Sequence, residues 1–203
     1  MSDDDKLRFG PLTQTCLHLC VDMQRLFAEE TEWHTPWMDR VRPRVRAISE
    51  AHPQATVFTR FIPARHPGEG RGTWKRYYER WASMTLERLP CELVELLPEL
   101  AALVPPAFVF DKRVYSPWLE GDLDGLLRRR GIDTLLVTGG ETDVCVLSTV
   151  LGAVDRGYRI VLATDALCSS SDEAHDAMMT LYHMRYGQQV ETVDTETALA
   201  CWR

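Results

Sequence analysis

The sequence predicts an α/β domain, a parallel sheet covered by helices on both faces. Three observations carry that prediction. Short apolar runs alternate along the chain with segments of helical period. The runs are short and mostly continuous in apolar character, as strands buried on both faces should be. Glycines punctuate the predicted helix ends, with Gly131 after Arg128-Arg129-Arg130 and Gly157 after Arg156.

The strands are expected at residues 16–23, 56–61, 108–112, 134–138, 159–164 and 189–193. Helical spacing falls between them at 37–50, 91–103, 121–130, 143–156 and 172–186. Ser170 stands three residues before Glu173, a capping-box pattern for the helix at 172–186. The serine run 169–171 is therefore helix-start chemistry rather than a nucleophile. Ser116-Pro117 reads as another cap with proline at the first helical position. Residues 63–81, PARHPGEGRGTWKRYYERW, read as a long loop. No Gly-Lys-Ser/Thr and no directly opening helix follows Gly68, Gly70 and Gly72, so they do not make a phosphate loop. The rings at Trp74, Tyr77, Tyr78 and Trp81 suggest a pocket wall or a subunit contact, because solvated loops rarely carry so many.

The chain has 203 residues, which favours one domain over 1–203, with 1–14 as a flexible N-terminal stretch. A net charge of -7 argues against nucleic acid as a partner, because phosphate binding needs basic clusters. No apolar run has membrane-spanning length, and the acidic start MSDDDK lacks an apolar signal region. The six cysteines form no CxxC pair and mostly lie in apolar runs, as reduced thiols of a cytoplasmic protein would.

Sites on parallel sheets form at the carboxyl ends of strands. The first strand ends at Asp22, the third at Lys112, and the fourth runs through Gly139-Gly140 toward Cys145. A carboxylate, an ammonium and a thiol converging there suit nucleophilic catalysis. Taken singly, Asp22 reads better as a helix cap, Lys112 as a solvated strand end, and Cys145 equally well as packing. The strand-to-helix restart near Cys145 predicts a positive pocket that lowers the thiol pKa. Pocket candidates are Gln24, Phe27, Arg60, Trp74, Tyr78, Tyr115 and Trp118. The rings suit a flat or cationic ligand, and Arg60 suits a carboxylate.

Val21-Asp22-Met23-Gln24 with Phe27, Lys112 with Tyr115-Ser116, the run Gly139 to Val146, and Thr164-Asp165-Ala166 resemble the isochorismatase-like cysteine hydrolases. The resemblance covers about 15–195. It implies a three-layer α/β/α fold with a six-stranded parallel sheet in the order 3-2-1-4-5-6. It implies a triad of Asp22, Lys112 and Cys145, and a cis peptide at Gly140–Glu141. With that peptide come the Glu141 and Cys145 amides as an oxyanion hole. Thr142 is then a cap for the helix that holds the cysteine. The implied activity is cofactor-free hydrolysis of a small molecule, of an amide rather than a vinyl ether because the thiol is kept. A thiol sensor or a non-catalytic scaffold is the rival from another class. Nicotinamidases of the family carry Asp-x-His after the second strand; Thr59-Arg60-Phe61 stands here, so no catalytic metal is expected. His175 and His183 lie two turns apart, too far for a ligand pair. The family commonly self-associates, which implies a homo-oligomer with Trp33, Trp37 and Trp81 as contact candidates.

Overall fold

A computed structural model describes residues 7–203 of the chain. The elements run β1 (Cys16–Val21), α1 (Arg25–Ala28), α2 (Met38–Ala51), β2 (Thr56–Phe61), α3 (Thr73–Arg80), α4 (Pro98–Ala101), β3 (Phe108–Lys112), α5 (Leu123–Arg129), β4 (Thr134–Gly140), α6 (Leu147–Val154), β5 (Arg159–Cys168), α7 (Asp172–Arg185), β6 (Val190–Val193) and α8 (Thr195–Cys201). All strands pair in parallel, in the order β3-β2-β1-β4-β5-β6. Three layers result, helix over sheet over helix.

Strand alternation divides the core in two. Cys16 and Cys20 of β1 point to one side and pack with Met38, Val41, Val45 and Ile48 of α2 and Ala198 of α8. Leu17, Leu19 and Val21 point to the other and pack with Leu127 of α5, Val150 and Ala153 of α6 and Tyr182 of α7. Because β1 and β4 are covered on both faces, every one of their residues is buried. Their mostly apolar runs were the sequence signal for this, with His18, Thr134 and Thr138 as buried polar exceptions. All six cysteines are free thiols. Among the described residues no helix is long and apolar enough to cross a membrane.

Several expectations about local structure change. Residues 91–103 do not form one helix: a 3-10 turn at Cys91–Val94 stops before Pro98, which opens α4 at its first position. Proline has no N–H to donate and fits a helix only in its first turn. The stretch 63–81 is not all loop, because α3 begins immediately after Gly72. The spacing of Trp74, Tyr77, Tyr78 and Trp81 is i, i+3, i+4, i+7, so a helical signal was present there. The cap of α7 is Ser171, whose hydroxyl accepts from the Ala174 N–H, not Ser170. Ser116 Oγ accepts from the Trp118 N–H in a turn that no helix follows. Of the stretch 1–14 expected to be flexible, residues 1–6 lie outside the described residues. Leu7 and Leu12 are buried, and Leu12 bridges to Trp202.

Candidate active site

β1 ends because Asp22 takes a left-handed backbone, φ 51°, which a residue with a side chain rarely holds. Bonds from three sides hold it. Its N–H donates to the Thr59 carbonyl and hydroxyl, both at 3.2 Å, and its carbonyl accepts from Gln24 N–H at 2.8 Å. Thr59 Oγ1 donates to Asp22 Oδ1 at 2.5 Å. The other carboxylate oxygen, Oδ2, accepts from Lys112 Nζ at 2.6 Å. Lys112 closes β3, two strands away, roughly 10 Å at ordinary strand spacing. Its long stem covers that gap from beside Phe61, its register partner on the intervening strand, whose ring centroid lies 5.2 Å from the ammonium. The ammonium also donates to the Val114 carbonyl at 3.4 Å. The pair is almost wholly buried, at 0% and 1% side-chain exposure, so its Coulomb attraction is little screened by water.

The third group arrives from β4. Gly139 lies so close to β1 that a Cβ would stand 2.1 Å from the Val21 carbonyl oxygen, and its φ is 102°. Only glycine fits there. The Gly140–Glu141 peptide is cis, and a π turn at Thr142–Val146 leads into α6. The amides of Val144 and Val146 both donate to the Glu141 carbonyl, at 3.1 and 3.0 Å, and the Cys145 amide between them does not. Cys145 is 5% exposed, and that small opening is onto a cavity of about 300 Å³.

Asp22 and Lys112 are the two charged groups that act on the Cys145 thiol. The electrostatics reverse the expectation of a lowered thiol pKa. Burial pushes the thiol up, Asp22 adds to the rise, and Lys112 opposes it. The lysine charge is already matched by the aspartate, so too little of it is left to hold a thiolate. Burial also pulls Lys112 down, but Asp22 and the thiol outweigh it and the ammonium sits above its usual range. Burial thus favours the protonated form of the thiol, and Lys112 opposes it.

Aromatic side chains wall the cavity: Phe27, Trp33, Phe61, Tyr77, Trp81 and Tyr115. Of the pocket candidates, Phe27 and Tyr115 line it. Trp74 and Tyr78 form the layer behind, with Trp74 4.9 Å from Tyr115 and 6.0 Å from Tyr78 between ring centroids. Gln24 does not face the cavity. Its amide donates to the Phe61 and Val94 carbonyls and accepts from the Phe61 N–H, tying β1 to β2. Arg60 lies on the opposite face of β2 from Thr59 and Phe61, where it forks onto Asp111, its register partner on β3, and reaches Glu95. Trp118 is core: its Nε1 donates to the Thr149 carbonyl at 2.8 Å and its ring stacks on Tyr158.

Trp33 and Trp81 stand in the cavity wall, and Trp37 packs on His175 within the chain. Thr142 does not cap a helix: its hydroxyl donates to the Cys168 carbonyl and meets His175 Nδ1 at 2.9 Å. That contact makes His175 a packing residue. Where a metal-binding relative would offer ligands, Thr59 bonds Asp22, Arg60 bonds Asp111, and Phe61 is apolar. These residues do not fit a metal, and no group of three or more His, Cys, Asp or Glu among the described residues is placed to hold one.

A family model described as the isochorismatase domain matches residues 16–196. An uncharacterized isochorismatase family protein of Bacillus subtilis (strain 168), YwoC, is 35% identical over 104 residues, 51% of this chain and 54% of its own. The chain thus spans about half the length of that relative. A cysteine hydrolase from Pseudomonas syringae pv. phaseolicola superposes with a TM-score of 0.80 at 23% identity, over 92% of both chains. N-carbamoylsarcosine amidase from Thermoplasma acidophilum superposes with a TM-score of 0.70 at 23% identity, over 89% of this chain and 96% of that one.

Proposed function

The chain belongs to the isochorismatase family of hydrolases, and from that premise we propose that it cleaves a carbon–nitrogen bond of a small amide through a thioester on Cys145. The observation that carries the reading is the buried Lys112–Asp22 pair facing a thiol at the floor of a closed-in cavity.

The steps follow from the charges. The thiol rests protonated, so sulfur attacks the carbonyl carbon as its proton passes to Asp22. Lys112 keeps its proton and holds the carboxyl group in place. The amides of Glu141 and Cys145 receive the developing oxyanion, a contribution of roughly 100- to 1000-fold per donor. Asp22 returns the proton to the leaving nitrogen, the carbon–nitrogen bond breaks, and the thioester remains. Water gives a proton to Asp22 and attacks the thioester. The carbon–sulfur bond breaks, the thiol regains its proton, and the acid leaves. Side chains and water supply every proton, so the cycle calls for no cofactor. The solved amidase of the same fold is in keeping with amide chemistry.

The test is a screen of small amides, ureides and isochorismate with wild type and Cys145→Ala, read as ammonia or product release and as protein mass. Ammonia release lost in the variant, with an acyl adduct on Cys145 in wild type, is expected. Isochorismate turnover that survives the substitution would overturn the reading in favour of proton-driven vinyl ether cleavage.

A further inference from the structure

We propose that the substrate carries a weakly hydrated organic cation, a quaternary ammonium or pyridinium group, on the acyl side of the scissile amide. The inference rests on the hydrolytic reading above and names its substrate class.

The cavity wall decides the charge. Trp33 stands at its centre, with ring centroids of Phe27, Phe61, Tyr77 and Trp81 at 6.3, 5.9, 5.8 and 6.3 Å. Its indole N–H is shut off from solvent and makes no hydrogen bond. Aromatic faces carry negative charge density and attract a cation within about 6 Å of the centroid. The charged lining residues are Glu32 at the exposed rim and Glu141. Glu141 is occupied on one oxygen by the Ser170 N–H, which leaves its charge in place.

Nothing on the wall matches an anion. Neither lysine nor arginine lines the cavity, and His34 is the one lining residue able to turn positive. The nearby cations are committed: Lys112 to Asp22 and, at 5.2 Å, to the Phe61 ring, Arg60 to Asp111 and Glu95 on the other face of β2, and Arg80 to the Trp81 ring at 4.5 Å. A carboxylate placed among these rings would lose its water and gain no partner, a cost that burial makes large. A primary ammonium finds acceptors only at Glu32 and Glu141, because its three donors need partners that the ring faces do not supply. A methylated or aromatic cation has no such demand, and its apolar surface suits the rings. Burial holds the phenols of Tyr77 and Tyr115 above their usual range, so they stay neutral and the match does not depend on a phenolate.

The experiment is calorimetric titration of the Cys145→Ala protein at pH 8, above the ordinary histidine range. The probes are trimethylammonioacetamide, its uncharged carbon isostere 3,3-dimethylbutanamide, and the anion malonamate. The cation is expected to bind at least about 10-fold tighter than its isostere, with malonamate weakest. Adding Trp33→Leu, or Trp81→Leu should the former not fold, is expected to erase most of that preference. Adding Glu32→Gln is expected to reduce it about threefold. Equal or tighter binding of the isostere or of malonamate overturns the inference, as does absence of binding by all three. Ammonia release by wild type is followed in parallel. Selective cation binding with no ammonia from any probe defeats the hydrolytic reading alone, and ammonia from the isostere in preference to the cation defeats the charge assignment alone.

Discussion

His18 supplies a stability switch whose size follows from its surroundings. It sits mid-strand in β1, fully buried on the α2 side. Its Nε2 meets Thr138 Oγ1 at 2.7 Å, and its Nδ1 meets Thr56 Oγ1 at 3.3 Å and Ser49 Oγ at 3.5 Å. None of these partners is a carboxylate. Burial, with a smaller push from His52, lowers the ring pKa to about 3. In the unfolded chain it returns to about 6.5. The unfolded chain therefore binds more protons between those values, and stability rises with pH across that window. The contribution is complete above about 6.5 and is lost on acidification. At pH 5 the chain is about 1.5 units below the unfolded value, which at about 1.36 kcal/mol per unit is a loss of about 2 kcal/mol. His18→Gln keeps a polar side chain for the hydroxyls and does not titrate. Unfolding free energies from urea titrations of tryptophan fluorescence, at pH 7.5 and 5.0, isolate the effect, since the carboxylates are common to both proteins. Wild type is expected to lose about 2 kcal/mol more than the variant between the two pH values. Equal losses would refute the argument that an uncompensated buried imidazole sets the acid limit.

Four further outcomes follow from the geometry. Alkylation of Cys145 in the free enzyme, mapped by mass against iodoacetamide at increasing pH, is expected to keep climbing above pH 9 because burial raises the thiol; a plateau below pH 8 would contradict a neutral resting thiol. Lys112→Met leaves Asp22 buried without its partner and is expected to cost roughly 3–5 kcal/mol of stability, read by urea midpoint. Gly139→Ala forces a methyl group against the Val21 carbonyl, so soluble yield should fall and thermal unfolding should begin far earlier than in wild type. Ser171→Ala removes the α7 cap and is expected to cost about 1 kcal/mol, with no change in thiol reactivity.

Most of the fold was legible because buried strands must be continuously apolar. Boundaries slipped where geometry depends on neighbours. β1 stops at Val21 because of the left-handed Asp22, whereas β4 runs on through Gly139 and Gly140, which still pair with Val21 and Cys168. Asp22, Lys112 and Cys145 could be placed at one rim from the sequence because each lies at or shortly beyond a strand end, and the parallel order brings strand ends together. The wall was less legible. Gln24, Arg60 and Trp118 have the residue types of a binding site, but their direction is set by register and by packing partners far away in sequence. Arg60 could have been placed by the alternation of β2, since Thr59 and Phe61 on either side of it face the site. The ring-rich stretch 63–81 did point to a pocket wall at Tyr77 and Trp81, whereas Trp33, expected at a subunit contact, joins the cavity by packing on Tyr77 and Trp81 that no local pattern announces.

Lys112 is delivered to the interior by an edge strand. β3 pairs on one side only, with β2, and Phe108 and Val109 at its start are 42% and 38% exposed. Edge strands open more readily than central ones. Fraying of a single margin would withdraw the ammonium from its carboxylate while the middle of the sheet stayed intact. In the proposed mechanism catalytic competence is thus tied to an edge ladder, and amide exchange along β3 is expected to report loss of the charge pair before the molecule melts.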